Sequence, residues 1–120
     1  MTDDIATLLT RNLFEVFGET DPVRRRTAID QIWAEDAVFV DPQASRMGRD
    51  AVDAAVAGLH ARFPGFVFTA LGAPQSLEGA GRLAWGHGPA GGAPQLTGLD
   101  VALVREGRIA ALYTFLDLPA

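Results

Sequence analysis

The sequence contains no cysteine and no lysine. Without cysteine there is no disulfide, thiol nucleophile or thiolate metal site. Without lysine no Schiff base can form with a carbonyl substrate or with pyridoxal phosphate, and a Walker-type phosphate loop is excluded. Only two serines occur, Ser45 and Ser76, neither in a G-x-S-x-G turn. The two histidines, His60 and His87, are too few for a three-histidine zinc site and leave only a mixed histidine–carboxylate site open. No apolar run approaches the roughly 18–20 residues of a membrane span. The N-terminal stretch MTDDIATLL is acidic where a signal peptide is basic and then apolar, so the expected location is cytoplasmic. Every basic residue is arginine, ten against fifteen acidic residues, for a net charge of −5. Such a chain has no general attraction for phosphate backbones or anionic lipid, and neither nucleic acid nor membrane is expected as a partner. Chemistry in this chain falls mainly to carboxylates.

What is present is enough for one core. A length of 120 residues with 48% hydrophobic content describes a single domain spanning 1–120. Ile5, Leu8, Leu9, Leu13, Val16 and Phe17 recur at helical spacing over residues 3 to 17, with Asp3 and Asp4 at the helix start and Gly18 at its end. Asp21-Pro22 opens a second helix that buries Ala28, Ile29, Ile32 and Trp33 and turns Arg24, Arg25 and Arg26 to solvent. Residues 37–41 (AVFVD) read as a short strand and PQASRMG as a loop. A third helix runs from about Arg49 to Phe63 on Val52, Val56, Leu59 and Phe63, and Pro64-Gly65 stops it. Beyond Gly65 the apolar period changes to two, giving strands at about 66–72, 82–88, 95–105 and 108–117 joined by short Gly-containing connections. Helices first and a curved antiparallel sheet last make an α+β domain with the helices on one face.

Residues 86–91, GHGPAG, match G-x-G-x-x-G literally, yet a strand follows them and no helix opens to receive a phosphate, so they are a hairpin loop. Two acidic residues stand out. Asp41 ends a strand beside Phe39 and precedes Pro42. Asp100 lies inside the run Leu99-Asp100-Val101-Ala102-Leu103-Val104, with Gly98, Ala102 and Val104 on its own face. A buried carboxyl there favours its neutral form, and two carboxyls in different environments offer one base and one acid at neutral pH. Each has an ordinary reading too: Asp41 as a turn former, Asp100 as an exposed residue of a sheet with one wet face. His87 shares a strand face with Leu83 and Trp85, where it is either a pocket hydrogen-bonding group or a solvated residue beside a Gly-rich turn. His60 reads as a helix-flank residue, and Trp33, Trp85 and Phe39 as core or pocket wall.

The segments WAEDAVFVDP, MGRDAV and LDVALVREGRI together resemble the NTF2-like superfamily, most closely its ketosteroid isomerase and SnoaL-like polyketide cyclase branches. The resemblance runs from the first helix to Phe115. It implies an NTF2-like cone: three N-terminal helices on a strongly curved mixed or antiparallel sheet that encloses an apolar pocket, with homodimers formed through the outer sheet face. By resemblance the general base falls on Asp41 and the neutral acid of the oxyanion hole on Asp100, the type of acid for which ketosteroid isomerase is the standard example. The helix-one tyrosine of the isomerases has no counterpart, since Asn12, Leu13 and Phe14 stand there and the only tyrosine, Tyr113, is on the last strand. Phe39, Trp85, His87, Asn12, Ala102 and Tyr113 are the candidate substrate-contacting residues. The expectation is an isomerase- or cyclase-type enzyme, free of cofactor and metal, that removes a proton alpha to the carbonyl of a small apolar compound. The alternative is a non-catalytic binding or dimerisation module on the same fold.

Overall fold

The computed structural model describes residues 4–117. The first helix, α1 (Ile5–Arg11), is capped by Asp4, whose carboxylate accepts from the Thr7 amide at 2.7 Å; Asp3 lies outside the described residues. Its continuation, Asn12–Phe17, widens to a π-helical turn that ends where the Gly18 amide donates to the Leu13 carbonyl. Helix α2 (Pro22–Ile32) begins at Asp21 and Pro22 as the sequence indicates. Strand β1 (Trp33–Val40) then starts with no intervening loop, so Trp33 is its first residue and keeps its burial. Next come β2 (Ser45–Met47), α3 (Arg49–Arg62), β3 (Phe66–Ala70), β4 (Gln75–Leu77), β5 (Ala80–Pro89), β6 (Leu96–Arg105) and β7 (Arg108–Leu116).

The seven strands form one sheet in the order β2-β1-β7-β6-β5-β3, with β4 also paired to β5. All pairings are antiparallel except β1 with β7, so the sheet is mixed. The helices cover one face. Leu8, Leu9 and Val16 from the first helix, Ile29 and Ile32 from α2, and Val52 and Val56 from α3 meet Leu83, Ile109 and Leu112 of the sheet. Among the described residues no helix is long and apolar enough to cross a membrane.

Several sequence expectations need correction. Strands β2 and β4, three residues each, fall in stretches read as connections, and β5 starts at Ala80 because Glu78-Gly79 alone makes the hairpin turn, with Gly79 at φ +77°. Arg25 is not turned to solvent. It continues the buried stripe of Ala28, Ile29 and Ile32 at helical spacing, and its guanidinium Nε donates to Asp53 Oδ1 at 2.7 Å while Nη1 donates to the Glu19 carbonyl. His60 is half-buried on the flank of α3, as its spacing indicates, with its Nε2 donating to the Phe17 carbonyl at 2.6 Å. Phe63 caps α3 and remains 40% exposed, since the helix ends there.

The hairpin β6–β7 carries an irregularity that decides what faces inward. Near the turn Val104 pairs with Ile109, but one step on Leu103 pairs with Ala111, so Ala110 is an extra residue on β7. An unbulged register would place Tyr113 opposite Asp100. The bulge puts Thr114 there and turns Tyr113 to the outer face.

Candidate active site

Between the concave sheet face, the π-helical turn and the C-terminal end of α3 lies a cavity of about 220 Å³. Its walls are mostly apolar: Leu13 and Phe17 from the π-helical turn, Phe39 from β1, Leu59 and Phe63 from α3 and its cap, Phe68 from β3 and Trp85 from β5. Six polar or charged groups interrupt them, namely Asp41, Gln43, Arg62, His87, Asp100 and Thr114. An apolar cavity of about 150 Å³ holds one benzene ring, so this one suits a ligand of roughly one or two rings.

Asp100 is the most deeply placed of these carboxyls, 4% exposed. Its side chain points inward because β6 alternates, with Leu99, Val101 and Leu103 on the other face. Two donors converge on one of its oxygens: Trp85 Nε1 donates to Oδ1 at 3.0 Å and Thr114 Oγ1 to the same atom at 2.8 Å. Among the described residues nothing bonds to Oδ2, which is therefore the oxygen free to carry a proton or meet a ligand. Burial pushes the carboxyl up from 3.8 to about 6, against the opposing pull of the Thr114 and Trp85 hydrogen bonds.

Asp41 is held differently. Its Oδ1 accepts from the backbone amides of Gln43 at 2.9 Å and Ala44 at 3.0 Å, and Arg46 Nη1 lies 3.2 Å from the same oxygen. It does form the turn that joins β1 to β2, the ordinary reading of Asp before Pro. It also lines the cavity, with Oδ2 free of any partner among the described residues. The two readings of this residue are compatible, because one oxygen serves each. Arg46 in turn stacks over the Phe39 ring at 5.1 Å, which fixes the charge beside the carboxylate.

Strand register explains how residues 59 positions apart come together. Asp100 pairs with Thr114 across β6–β7, and Val40 pairs with Tyr113 across β7–β1. Asp41 follows directly on Val40, so it stands just past the end of β1, on the side of β7 where Thr114 faces Asp100. Both carboxyls lie on the concave face and border the same cavity. Phe39, Trp85 and His87 also line it, whereas three other candidates do not. Asn12 is fully buried in the core outside the cavity lining, with its Oδ1 accepting from Trp33 Nε1 at 2.9 Å and its Nδ2 without a partner among the described residues. Ala102 is sealed under the helices beyond the cavity wall, and Tyr113 stands 39% exposed on the outer face. Thr114, Gln43 and Arg62 were not singled out from the sequence. Among the described residues no group of three His, Asp or Glu side chains is placed to hold a metal ion.

This architecture can be set beside known proteins. Residues 10–112 match the family model described as the SnoaL-like domain. The chain belongs to the SnoaL-like family. A crystal structure of a candidate isomerase of that family from Agrobacterium tumefaciens is 31% identical, with a TM-score of 0.87 over 93% of this chain and 96% of that one. A candidate ketosteroid isomerase from Kribbella flavida shares the fold at 14% identity, TM-score 0.74, over 99% and 82% of the two chains. So does IdmH, a candidate polyketide cyclase from Streptomyces antibioticus, at 19% identity, TM-score 0.72, over 95% and 93%. No protein of curated function matches. Family membership supports an isomerase- or cyclase-type function for this SnoaL-like chain, and the NTF2-like fold is as the sequence indicated.

Proposed function

We propose that this SnoaL-like protein is a cofactor-independent enzyme that moves a proton alpha to the carbonyl of a small, largely apolar compound in the cytoplasm. The observation that carries this reading is the pair of carboxyls in one apolar cavity, each with one oxygen pinned and the other free. Asp41 serves as the base: Arg46 and two amides hold its Oδ1, leaving Oδ2 to accept the proton. Asp100, protonated on Oδ2, donates a hydrogen bond to the enolate oxygen as charge develops there. Isomerisation, aldol-type cyclisation and dehydration all share this step.

The test is deuterium incorporation into 2-tetralone, a two-ring ketone with acidic alpha protons, followed by NMR in heavy water. Asp41→Asn is expected to slow incorporation by about 10²–10⁴-fold, with binding of the ketone, read by tryptophan fluorescence, retained. An undiminished rate in that variant overturns the assignment. The pH profile has a definite sign. The donor form of Asp100 persists up to about 6, so the rate is expected to fall as pH rises through that value. One feature favours a second reading: a carboxyl raised to about 6 changes its charge close to neutral pH, which suits Asp100 to be the base itself. In that case the rate rises through the same pH. A protein that binds 2-tetralone yet leaves its exchange at the solvent rate is a binding module.

The homodimer implied by the family resemblance would cover the outer sheet face, where Leu103, Tyr113 and Phe115 stand 43%, 39% and 58% exposed. A solution mass of two chains supports it and a mass of one contradicts it.

A further inference from the structure

His87 is buried to 5% exposure on the inner face of β5, yet among the described residues no group hydrogen-bonds to its imidazole. Three phenylalanines hold the ring. It stacks on Phe68 with centroids 4.3 Å apart, and Phe63 and Phe66 approach edge-on at 5.6 and 5.0 Å. The strand has glycines on both sides of it, and the loop that follows folds back over their outer face. A Cβ at Gly86 would lie 2.7 Å from Pro94, one at Gly88 2.8 Å from the Ala93 carbonyl, and the Gln95 amide bonds to the His87 carbonyl. Backbone and ring are thus fixed, and the polar edge of the imidazole borders the cavity.

The ring nitrogens have no partner among the described residues, yet they are not sealed off: they open on the cavity, where water serves them until a ligand group takes its place. We propose that His87 forms a second polar subsite, which takes a hydroxyl on the end of the ligand remote from the reacting carbonyl. The inference deepens the proposed function and rests on it for the ligand's place in this cavity. Position supports the word remote. His87 pairs with Leu96 and Leu83 with Asp100, so the imidazole and the carboxyl are four residues apart along adjacent strands, roughly 13 Å between backbones. Charge supports the choice of hydroxyl. Burial, and secondarily the nearby His60, lower the proton affinity of His87, so the ring is neutral at pH 7 and presents one N–H and one lone pair. A neutral ring of this kind has no charge to offer a carboxylate or an ammonium, but it can either donate to a hydroxyl or accept from one.

The probes are 2-tetralone and 6-hydroxy-2-tetralone, which differ only by a hydroxyl on the ring far from the carbonyl. The readout is the ratio of their Kd values, measured by tryptophan fluorescence for each protein. Wild-type protein is expected to prefer the hydroxylated compound about fivefold to tenfold, the worth of one net hydrogen bond. His87→Phe, which fills the same aromatic cage, is expected to bring the ratio to about one, and His87→Asn to restore part of it. A purely structural role would weaken both ligands together and leave the ratio unchanged, which overturns the proposal. So does a wild-type protein that binds the two ketones equally, a result that needs no variant to fold. Deuterium exchange on the same samples separates the two ideas: loss of exchange with the Kd ratio intact removes the proposed reaction and keeps the subsite.

Discussion

Asp100→Asn is expected to make the folded protein more stable by about 3 kcal/mol at pH 8, and by about half a kcal/mol at pH 4. The folded protein holds the Asp100 proton up to about 6, whereas the unfolded chain releases it near 3.8. Between those values the folded state binds more protons, so the wild-type protein loses stability as pH rises through this window and then levels off. Asparagine does not titrate and escapes that loss. Its amide also has only one good orientation: the two donors, Trp85 Nε1 and Thr114 Oγ1, require the carbonyl oxygen at the Oδ1 position, which turns the NH₂ group toward the cavity. The variant therefore keeps a hydrogen-bond donor where the neutral acid had one. With Asp41 as base, exchange is expected to persist in Asp100→Asn and to lose its decline above pH 6; with Asp100 as base, exchange vanishes. Urea midpoints at pH 4 and pH 8 check the stability half. A stability difference that does not change with pH contradicts it.

Gly98→Ala is expected to cost about 1–3 kcal/mol or more, a large effect for one methyl group. Gly98 is paired with Trp85 across β5–β6, and the indole lies over it. A Cβ there would press on Trp85 Cζ2, lie 2.7 Å from Cη2 and 2.8 Å from the Phe115 carbonyl oxygen. The carbonyl belongs to a strand fixed on both sides, so the indole has to move. Moving it breaks the hydrogen bond from Nε1 to Asp100, and because that bond favours the ionised form, the carboxyl is expected to titrate above its wild-type value. The absence of a side chain at position 98 is thus a condition for the acid's setting. An alanine variant with unaltered urea midpoint and unaltered Asp100 titration contradicts this account.

The chain shows in its sequence those features that repeat with a regular period. Alternation along 95–105 placed Gly98, Asp100, Ala102 and Val104 on one face, and all four face inward. Helical spacing gave the buried stripes of α2 and α3, and Arg25 sits on the same stripe, where its position mattered more than its charge. What breaks the period stayed hidden. The one-residue bulge at Ala110 exchanges Thr114 for Tyr113 beside Asp100, and nothing in RIAALYTF marks it. The widened turn over Asn12–Phe17 aims Leu13 and Phe17 at the cavity and Asn12 at Trp33, which a uniform helix does not anticipate. Strands β2 and β4 are too short for alternation to register, and β2 carries Arg46, the cation beside Asp41. His87 lay open to a solvated reading because of its glycine neighbours. Those glycines are there to let the 93–95 segment close over the strand.

The claim on which the chemistry rests is that water is kept away from Asp100 inside a cavity it shares with Asp41. Carbon-13 NMR titration of the side-chain carboxyls, with the Asp100 resonance assigned through Asp100→Asn, measures it directly. A midpoint near 6 is the expected result; a midpoint near 3.8, the value of a freely hydrated aspartate, contradicts it.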